Sequence, residues 1–312
     1  MSVTDLEQAR LSAKTGSQSA SRQIKLAPYI FVSPFFILFT VFFLFPTLFA
    51  LVLGFFNWSA LGTPEWFGVR NYERLFRDRI FWQSVQNTAF YSGFSLFVIV
   101  PLALLEAMAL NAKALRFKTL WRILYFAPIV TSTVAVAIVF RMLYNREFGI
   151  INNVLLALGA TPVDWLGDQA WVKLAVMGVV VWRWTGLLAV YFLAGLQSIP
   201  EELHEAASID GANAFQRFLN ITLPALRPVI LFVSVIVLIG SMQIFDDPQV
   251  LFGAGSPGGP ANAGLSMVQY LYSRGINDLL FGYASAVGLF LFVVIFALSL
   301  LQFRVFRGFE AD

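Results

Sequence analysis

The residues of this chain that are suited to chemistry are few, and one group of them lies in two apolar segments. Arg183 stands near the middle of the segment "VVVWRWTGLLAVYFLAGL", between Trp182 and Trp184. A second apolar segment ends in three polar residues, which are Gln243, Asp246 and Asp247. A guanidinium donates to hydroxyl or carboxylate groups, and an aromatic face packs against C–H groups. Together these residue types are suited to binding a polar solute.

Other interpretations of the same residues stay open. Arg183 is costly inside an apolar segment, so it must face water or the interior of a bundle, or pair with an acid. On a helix the side chains of Trp182 and Trp184 point about 200° apart, so both cannot line one narrow path. Asp246 and Asp247 are also suited to pairing with Arg183 or to capping a helix. Thr131, Ser132 and Thr133 are suited to lining the same path, although helix–helix hydrogen bonding is the role we expect.

A second group lies in the segment "PEELHEAASIDGANAFQRFLNITLPALRP". Ser198 and Glu201 have the spacing of a capping box, which predicts a helix that runs to about Ile209 and is broken by Gly211. A second predicted helix carries Phe215, Phe218 and Leu219 on one face. The sequence therefore predicts a helix–turn–helix between two apolar segments.

The predicted helix–turn–helix has features of a docking surface. Small residues allow close approach of a partner; they are Ala206, Ala207, Gly211, Ala212 and Ala214. Glu205 and Asp210 add carboxylates that an Arg or Lys of a partner can meet. The alternative is a solvated amphipathic loop without a partner.

The sequence argues against catalysis, metal binding and nucleotide binding by this chain. Its single histidine, His204, has no second histidine near it, and cysteine is absent. The Gly/Pro run after Pro248 lacks the lysine of a phosphate-binding loop, so we interpret it as a flexible loop. The net charge of +3 is small and gives no indication of nucleic-acid binding.

The composition predicts an all-α membrane protein. The chain is 58% hydrophobic and only 12% charged, and the apolar residues form long blocks. Six blocks reach the roughly 20 residues that span a bilayer. We place them at 29–56, 86–110, 123–143, 172–196, 228–247 and 281–303. Residues 1–27 are polar and predict a cytoplasmic tail, residues 28–308 form the membrane domain, and residues 309–312 form a short cytoplasmic end.

The positions of Lys and Arg predict the orientation of the chain. With the first residue inside, twelve basic residues lie in inner segments: Arg10, Lys14, Arg22, Lys25, Lys113, Arg116, Lys118, Arg122, Arg217, Arg227, Arg304 and Arg307. Six lie in outer segments: Arg70, Arg74, Arg77, Arg79, Arg146 and Arg274. This bias predicts that both termini are cytoplasmic.

The loop also carries a specific pattern. Glu205-Ala206-Ala207 is followed after three residues by Gly211, after nine more by Ile221, and then by Leu223-Pro224. This pattern resembles the signature of permease subunits of binding-protein-dependent ABC importers. Further stretches, such as "FGVRNYERLFRD" and "GYASAVGLFLF", resemble the carbohydrate branch of that family, the maltose-type permeases. The resemblance covers about residues 28–308 and does not identify the sugar.

The resemblance implies a type I ABC importer permease fold in the bacterial inner membrane, with loop 198–227 as a cytoplasmic coupling helix. It assigns ATPase coupling to Glu205, Ala206, Ala207, Asp210 and Gly211. The implied partners are a second permease subunit, two ATP-binding subunits that use ATP and Mg, an external binding protein, a carbohydrate and membrane lipid. It implies that this chain binds no cofactor and catalyses no reaction. Its sugar would pass by alternating access along a pathway that includes Arg183, Trp184, Trp182, Gln243, Asp246 and Asp247.

Two alternatives remain at this point. An importer of the same architecture is also suited to an acidic saccharide, a sugar phosphate or a non-sugar solute, and an unshared Arg183 would favour an acidic one. A secondary transporter or channel belongs to a different class and predicts internal repeats and ion-coupling acids inside the spans. We find no convincing repeat and few such acids.

Overall fold

The computed structural model describes residues 28–59, 62–112, 114–253 and 255–308, except for the side chains of residues 307 and 308. The predicted tail, 1–27, and the predicted end, 309–312, lie outside these residues. Two units are distinguished by their contacts, with the boundary between Leu53 and Gly54.

In the first unit the described residues form helix α1, Pro28–Leu53. The helices of the second unit, in chain order, are α2 (Arg70–Arg77), α3 (Arg79–Asn111), α4 (Lys118–Val130), α5 (Thr133–Leu143), α6 (Ile150–Ala157), α7 (Val172–Gln197), α8 (Glu201–Ile209), α9 (214–225), α10 (Arg227–Met242), α11 (Asp246–Phe252), α12 (Met267–Tyr272) and α13 (Phe281–Gly308). Two short strands, β1 (Phe56–Asn57) and β2 (Glu65–Trp66), pair antiparallel.

The prediction of an all-α membrane fold is confirmed, and the predicted number of six spans is reached when one sharply bent pair of helices is counted as a span. Among the described residues, five helical segments are long and apolar enough to cross a membrane: α1, α3, α7, α13 and the segment Arg227–Phe252. The sixth span is the pair α4 and α5, which meet at an angle of 98°.

Prolines shape several of the helices. Three π-helical segments each end two residues before a proline: Thr40–Leu44 before Pro46 and Ser95–Ile99 before Pro101, both within spans, and Phe218–Thr222 before Pro224 in α9. A proline has no N–H group, and its ring clashes with the carbonyl group four residues earlier. A local π turn accommodates the ring and lets another N–H group reach the carbonyl groups of that turn.

Two predicted spans are not continuous helices. The span predicted at 123–143 ends as a helix at Val130, shortly after Pro128, and resumes at Thr133. Thr131 Oγ1 donates to the Pro128 carbonyl at 2.6 Å, which satisfies a carbonyl group at the helix end.

The span predicted at 228–247 is interrupted at residues 243–245. Pro248 cannot donate to the carbonyl group of Ile244, four residues earlier. Ser266 supplies the missing donor, since its Oγ lies 2.7 Å from that carbonyl oxygen. In both breaks a hydroxyl side chain bonds a carbonyl group near a proline, but only Ile244 has a carbonyl group that the proline itself deprives of a donor.

Helices α3 and α7 form the centre of the second unit. Their facing surfaces carry small side chains, and Ala103, Ala107 and Ala189 are fully buried in the same cluster as Phe192. Small residues let membrane helices approach closely, which increases van der Waals contact in a medium where the hydrophobic effect between helices is weak. Close packing of this kind makes α7 a fixed support for the residues it carries.

A carboxylate anchors the start of α3. Asp78 caps this helix by accepting hydrogen bonds from the backbone N–H groups of Ile80 and Phe81. It also accepts a hydrogen bond from the Tyr270 hydroxyl at 2.5 Å, and Arg274 lies 3.8 Å away. Burial of the carboxyl group opposes its ionisation, but these hydrogen bonds and the arginine outweigh that effect and lower its pKa below the usual value.

The interpretation of the Gly/Pro run as a flexible loop is wrong for its later part. Gln83, Asn87 and Tyr91, spaced one turn apart on α3, donate to main-chain carbonyl groups within residues 261–265 at 2.8–3.1 Å. Gly258 has a φ of +78°, and a Cβ atom there would lie 2.5 Å from the backbone of residue 265. The glycine therefore permits a close chain approach, and the loop is fixed to α3.

Helix α7 approaches the backbone of α4 at Gly186, and this contact can be tested. A Cβ atom at Gly186 would lie 1.9 Å from the Tyr125 carbonyl oxygen. We expect Gly186→Ala to destabilise the purified protein by about 1–3 kcal/mol, because the two backbones must separate. The measurement is the midpoint of thermal unfolding in detergent.

Gly93→Ala is the matched control, because no atom beyond its own helix lies within 4 Å of a Cβ built at Gly93. Alanine also favours helix over glycine, so this control should be neutral or slightly stabilising. Equal midpoints for the two variants would contradict the close approach of α7 and α4.

Candidate functional site

A cavity of about 250 Å³ lies among α3, α7, α10 and α11. Its lining is mostly apolar, with polar groups concentrated at the break between α10 and α11. The lining residues are Ser95, Ile99, Val180, Trp184, Leu188, Ile236, Val237, Gly240, Ser241, Gln243, Ile244, Phe245, Asp246 and Asp247. An apolar cavity with a few convergent polar groups is the usual form of a small-molecule site.

An ion pair closes one side of this cavity. The Arg183 guanidinium donates from Nη1 to Asp247 Oδ1 at 2.9 Å and from Nη2 to Thr133 Oγ1 at 2.7 Å. The side chains of Arg183 and Asp247 are only 12% and 9% exposed. Arg183 does not line the cavity itself and reaches it only through Asp247. The ion pair joins α7 to α11, and the hydrogen bond to Thr133 joins α7 to α5; both α5 and α11 follow a helix break.

The remaining predicted pathway residues divide between two places. Trp184, Gln243 and Asp246 all line the cavity, and Gln243 and Asp246 are exposed. Trp182 is 44% exposed and packs edge-to-face against Phe140, with ring centroids 5.6 Å apart. Trp182 therefore does not belong to the cavity. This agrees with the helix geometry, because two residues that are two positions apart, such as Trp182 and Trp184, point about 200° apart.

Several lining residues are not among those predicted from the sequence. Ser95 and Ile99 belong to the π-helical segment of α3, where the wider turn changes the direction of the side chains that follow. Ser241 lines the cavity and its hydroxyl lies 3.1 Å from the Ser92 hydroxyl. The signal in the sequence was weak, namely two serines a turn apart within an apolar span, followed by Pro101.

The loop between α7 and α10 has the predicted helix–turn–helix form. Helix α8 ends in a Schellman motif, in which the Gly211 N–H group donates to the Ser208 carbonyl at 3.2 Å and the Ala212 N–H group donates to the Ala207 carbonyl at 2.8 Å. Gly211 has a φ of +81°, which a glycine adopts without strain. A Cβ atom at Gly211 would meet no other atom, so this face of the turn is open.

The predicted capping box at the start of α8 is wrong. The Ser198 hydroxyl donates to the Gly195 carbonyl at 2.8 Å, and Pro200 precedes the helix without a side-chain cap. A capping box occurs instead at the start of α9, where Asn213 and Gln216 bond each other's backbone N–H groups at 2.9 and 2.8 Å. Ser198 belongs to the last turn of α7, so its nearest free group is a carbonyl rather than an N–H group.

The residues assigned to coupling form an exposed surface. Glu205, Ala206, Asp210 and Gly211 are exposed, and Ala207 is half-buried. A groove of about 750 Å³ lies between α8, α9 and the end of α3, and its charged or ionisable residues are Glu201, His204, Glu205 and Arg217. Among the described residues, no three His, Cys, Asp or Glu side chains are grouped as metal ligands.

Comparisons with known proteins agree with this arrangement. Residues 15–310 match the family described as "Binding-protein-dependent transport system inner membrane component". The arabinooligosaccharides transport system permease protein AraP of Bacillus subtilis (strain 168) is 37% identical over 289 residues, which are 92% of this chain and 91% of AraP. The lactose transport system permease protein LacF of Rhizobium radiobacter is 36% identical over 298 residues, 95% of this chain and 99% of LacF.

Two solved structures have the same fold. One is a bacterial ABC transporter involved in the import of the acidic polysaccharide alginate, with a TM-score of 0.80, 24% identity and coverage of 93% of this chain and 98% of the matched chain. The other is the bacterial alginate ABC transporter with a periplasmic protein bound to alginate pentasaccharide, with a TM-score of 0.78, 25% identity and coverage of 91% and 94%. The fold and the family match together show that this chain belongs to the family of binding-protein-dependent transport system inner membrane components.

Proposed function

We propose that the chain is one permease subunit of an ATP-driven importer that takes up a carbohydrate by alternating access. One observation carries the mechanism: the exposed loop 198–227 directly joins α7 and α10, two of the helices that line the cavity. A force applied to the loop therefore acts on both helices. The loop is also fixed to their ends, since Gly195 lies against the side chains of Leu226 and Val229.

The length of α7 sets how far such a force must travel. Gln197, at the end of the helix, lies thirteen positions after Trp184 in the cavity, which corresponds to about 20 Å at 1.5 Å per residue. A helix packed against α3 over this distance moves as a rigid rod, because packed interiors have low compressibility. Movement of the loop would thus change the shape of the cavity.

The carbohydrate assignment draws on the relatives and on the lining. The names of the two relatives above refer to arabinooligosaccharides and lactose. In this chain, Trp184 offers an aromatic face for the C–H groups of a sugar ring. Gln243, Asp246 and Ser241 offer hydrogen-bonding groups for its hydroxyls.

The family membership leads to the remaining parts of the proposal. A second permease completes the pathway, and an external binding protein delivers the sugar. Two ATP-binding subunits hydrolyse ATP with Mg and press on Glu205, Ala206, Ala207, Asp210 and Gly211. Both termini are cytoplasmic in this arrangement, which follows from the distribution of Lys and Arg.

The function is tested by reconstitution in proteoliposomes with the partner permease, the ATP-binding subunits and the binding protein. We expect uptake of radiolabelled arabinooligosaccharide, lactose or maltose that requires ATP. Uptake of a polyamine or a sugar phosphate in place of these sugars, under the same conditions, would favour an importer for another solute. Sugar movement by this chain without the ATP-binding subunits would contradict the importer and favour a secondary transporter or channel.

The coupling surface is tested by Ala206→Trp. Ala206 is exposed, so the larger side chain should not disturb this chain but should block close approach of an ATP-binding subunit. We expect at least about a fivefold loss of ATP-binding subunits that copurify with the chain, since that corresponds to only about 1 kcal/mol of binding free energy.

Ala157→Trp is the control, because Ala157 is also exposed at a helix end but lies in α6, far along the chain from the loop. Equal copurification of the ATP-binding subunits with both variants would remove Ala206 from the docking surface. Membrane insertion of both variants is checked by their yield in the membrane fraction.

The ion pair is tested by a double-mutant cycle of Arg183→Gln and Asp247→Asn. Each single variant leaves one buried charge without its partner, which we expect to cost about 3 kcal/mol of stability, and the double variant should recover most of this loss. The measurement is thermal unfolding of the assembled transporter in detergent. Additive losses in the double variant would show that the two side chains are not coupled.

The control is Asp164→Asn, at an ion pair with Arg146 in which the side chains are 42% and 65% exposed. Exposed pairs contribute little to stability, so this variant should unfold like the wild type.

A further inference from the structure

We infer that Asp246 is a specificity-determining residue whose unpaired carboxylate admits an uncharged, polyhydroxylated sugar to the cavity and rejects an anionic one. This inference rests on the proposed function and assigns the charge class of its substrate. The fold does not decide that class, because a chain of the same fold belongs to an importer of the acidic polysaccharide alginate. The decision must come from the side chains that line this cavity.

The charges around the cavity do not balance. Asp246 and Asp247 both line it, and none of the other lining residues is basic. Arg183 neutralises Asp247 at 2.9 Å. Among the described residues, the Asp246 side chain makes no ion pair or hydrogen bond, and it is exposed to the cavity. One negative charge is therefore presented to any solute that enters.

Arg183 is not available to attract an anion. Its Nη1 and Nη2 atoms are committed to Asp247 and Thr133 at 2.9 and 2.7 Å, and its Nε atom is buried without a partner. Turning the guanidinium toward an anionic solute would leave the Asp247 carboxylate buried and unpaired, which is strongly unfavourable. The arginine thus fixes Asp247 in place rather than adding a positive charge to the cavity.

The free carboxylate favours hydroxyl groups and disfavours anions. Its two oxygens accept charge-assisted hydrogen bonds, which are about twice as strong as those between neutral groups. A like charge held at about 6 Å is disfavoured by about a hundredfold in affinity at an effective dielectric constant of 20. Trp184 lines the same cavity and offers an aromatic face, so the cavity matches a neutral sugar ring.

The experiment measures binding to the assembled transporter in detergent without the binding protein, so that only the permease site is probed. The probes are arabinobiose, lactose and maltose, each compared with the same disaccharide oxidised at a primary hydroxyl group to a uronate. We expect the wild type to bind the neutral sugar at least about tenfold more tightly than its uronate. This threshold is set below the roughly hundredfold effect that Coulomb's law gives for the like charge.

Asp246→Asn removes the charge and keeps the shape, so the preference for the neutral sugar should fall to about twofold or less, with tighter uronate binding. Glu147→Gln, at an exposed carboxylate outside the cavity, is the matched control and should keep the wild-type preference. An unchanged preference in Asp246→Asn, or a wild type that prefers the uronate, would overturn the inference and leave the importer function standing. A wild type that binds no sugar in either form would contradict the proposed carbohydrate function and, with it, this inference.

Discussion

The ion pair between Arg183 and Asp247 is the interaction on which the arrangement of the cavity depends. A charge inside a membrane protein is tolerated only when it is paired or hydrated, so each of these residues requires the other. Their hydrogen bonds bring α7 together with α11, and the bond to Thr133 adds α5. Both α5 and α11 begin directly after a helix break. The pair therefore holds in place the segments that are least fixed by continuous helical hydrogen bonding.

The need to satisfy backbone hydrogen bonds explains the irregularities of the helices near prolines. No water is available inside a bilayer to bond a freed carbonyl group, so each proline in a span requires a local solution. The chain uses π turns before Pro46 and Pro101, and it uses the Ser266 hydroxyl for the carbonyl group that Pro248 leaves unpaired. The same irregularities give the cavity its polar lining, because the π turn carries Ser95 and the break exposes Gln243 and Asp246.

Cavity and loop are connected through two helices, although their residues differ in character. The cavity residues lie on α3, α7, α10 and α11 and at the break before α11, and the loop joins the other ends of α7 and α10. The loop itself is held in shape by local hydrogen bonds, including the Schellman motif at Gly211 and the capping box at Asn213. A preformed loop requires little ordering when it meets a partner, and less of the binding energy is lost to conformational entropy. Such a loop is suited to transmit force.

The sequence by itself determined the all-α membrane class, the six spans and the exposed loop with its glycine turn, since these follow from long apolar blocks and local spacing. It also limited Trp182 and Trp184 to different directions. Only the tertiary structure decided that Asp247, and not Asp246, pairs with Arg183, because the two aspartates are neighbours in sequence but face different groups at the start of α11. Likewise, the later part of the Gly/Pro loop is held in place by hydrogen bonds from α3. The bonded residues are about 175 positions apart in the sequence, so no local pattern predicts the contact. Contacts between distant segments depend on tertiary packing, which the spacing of neighbouring residues does not predict.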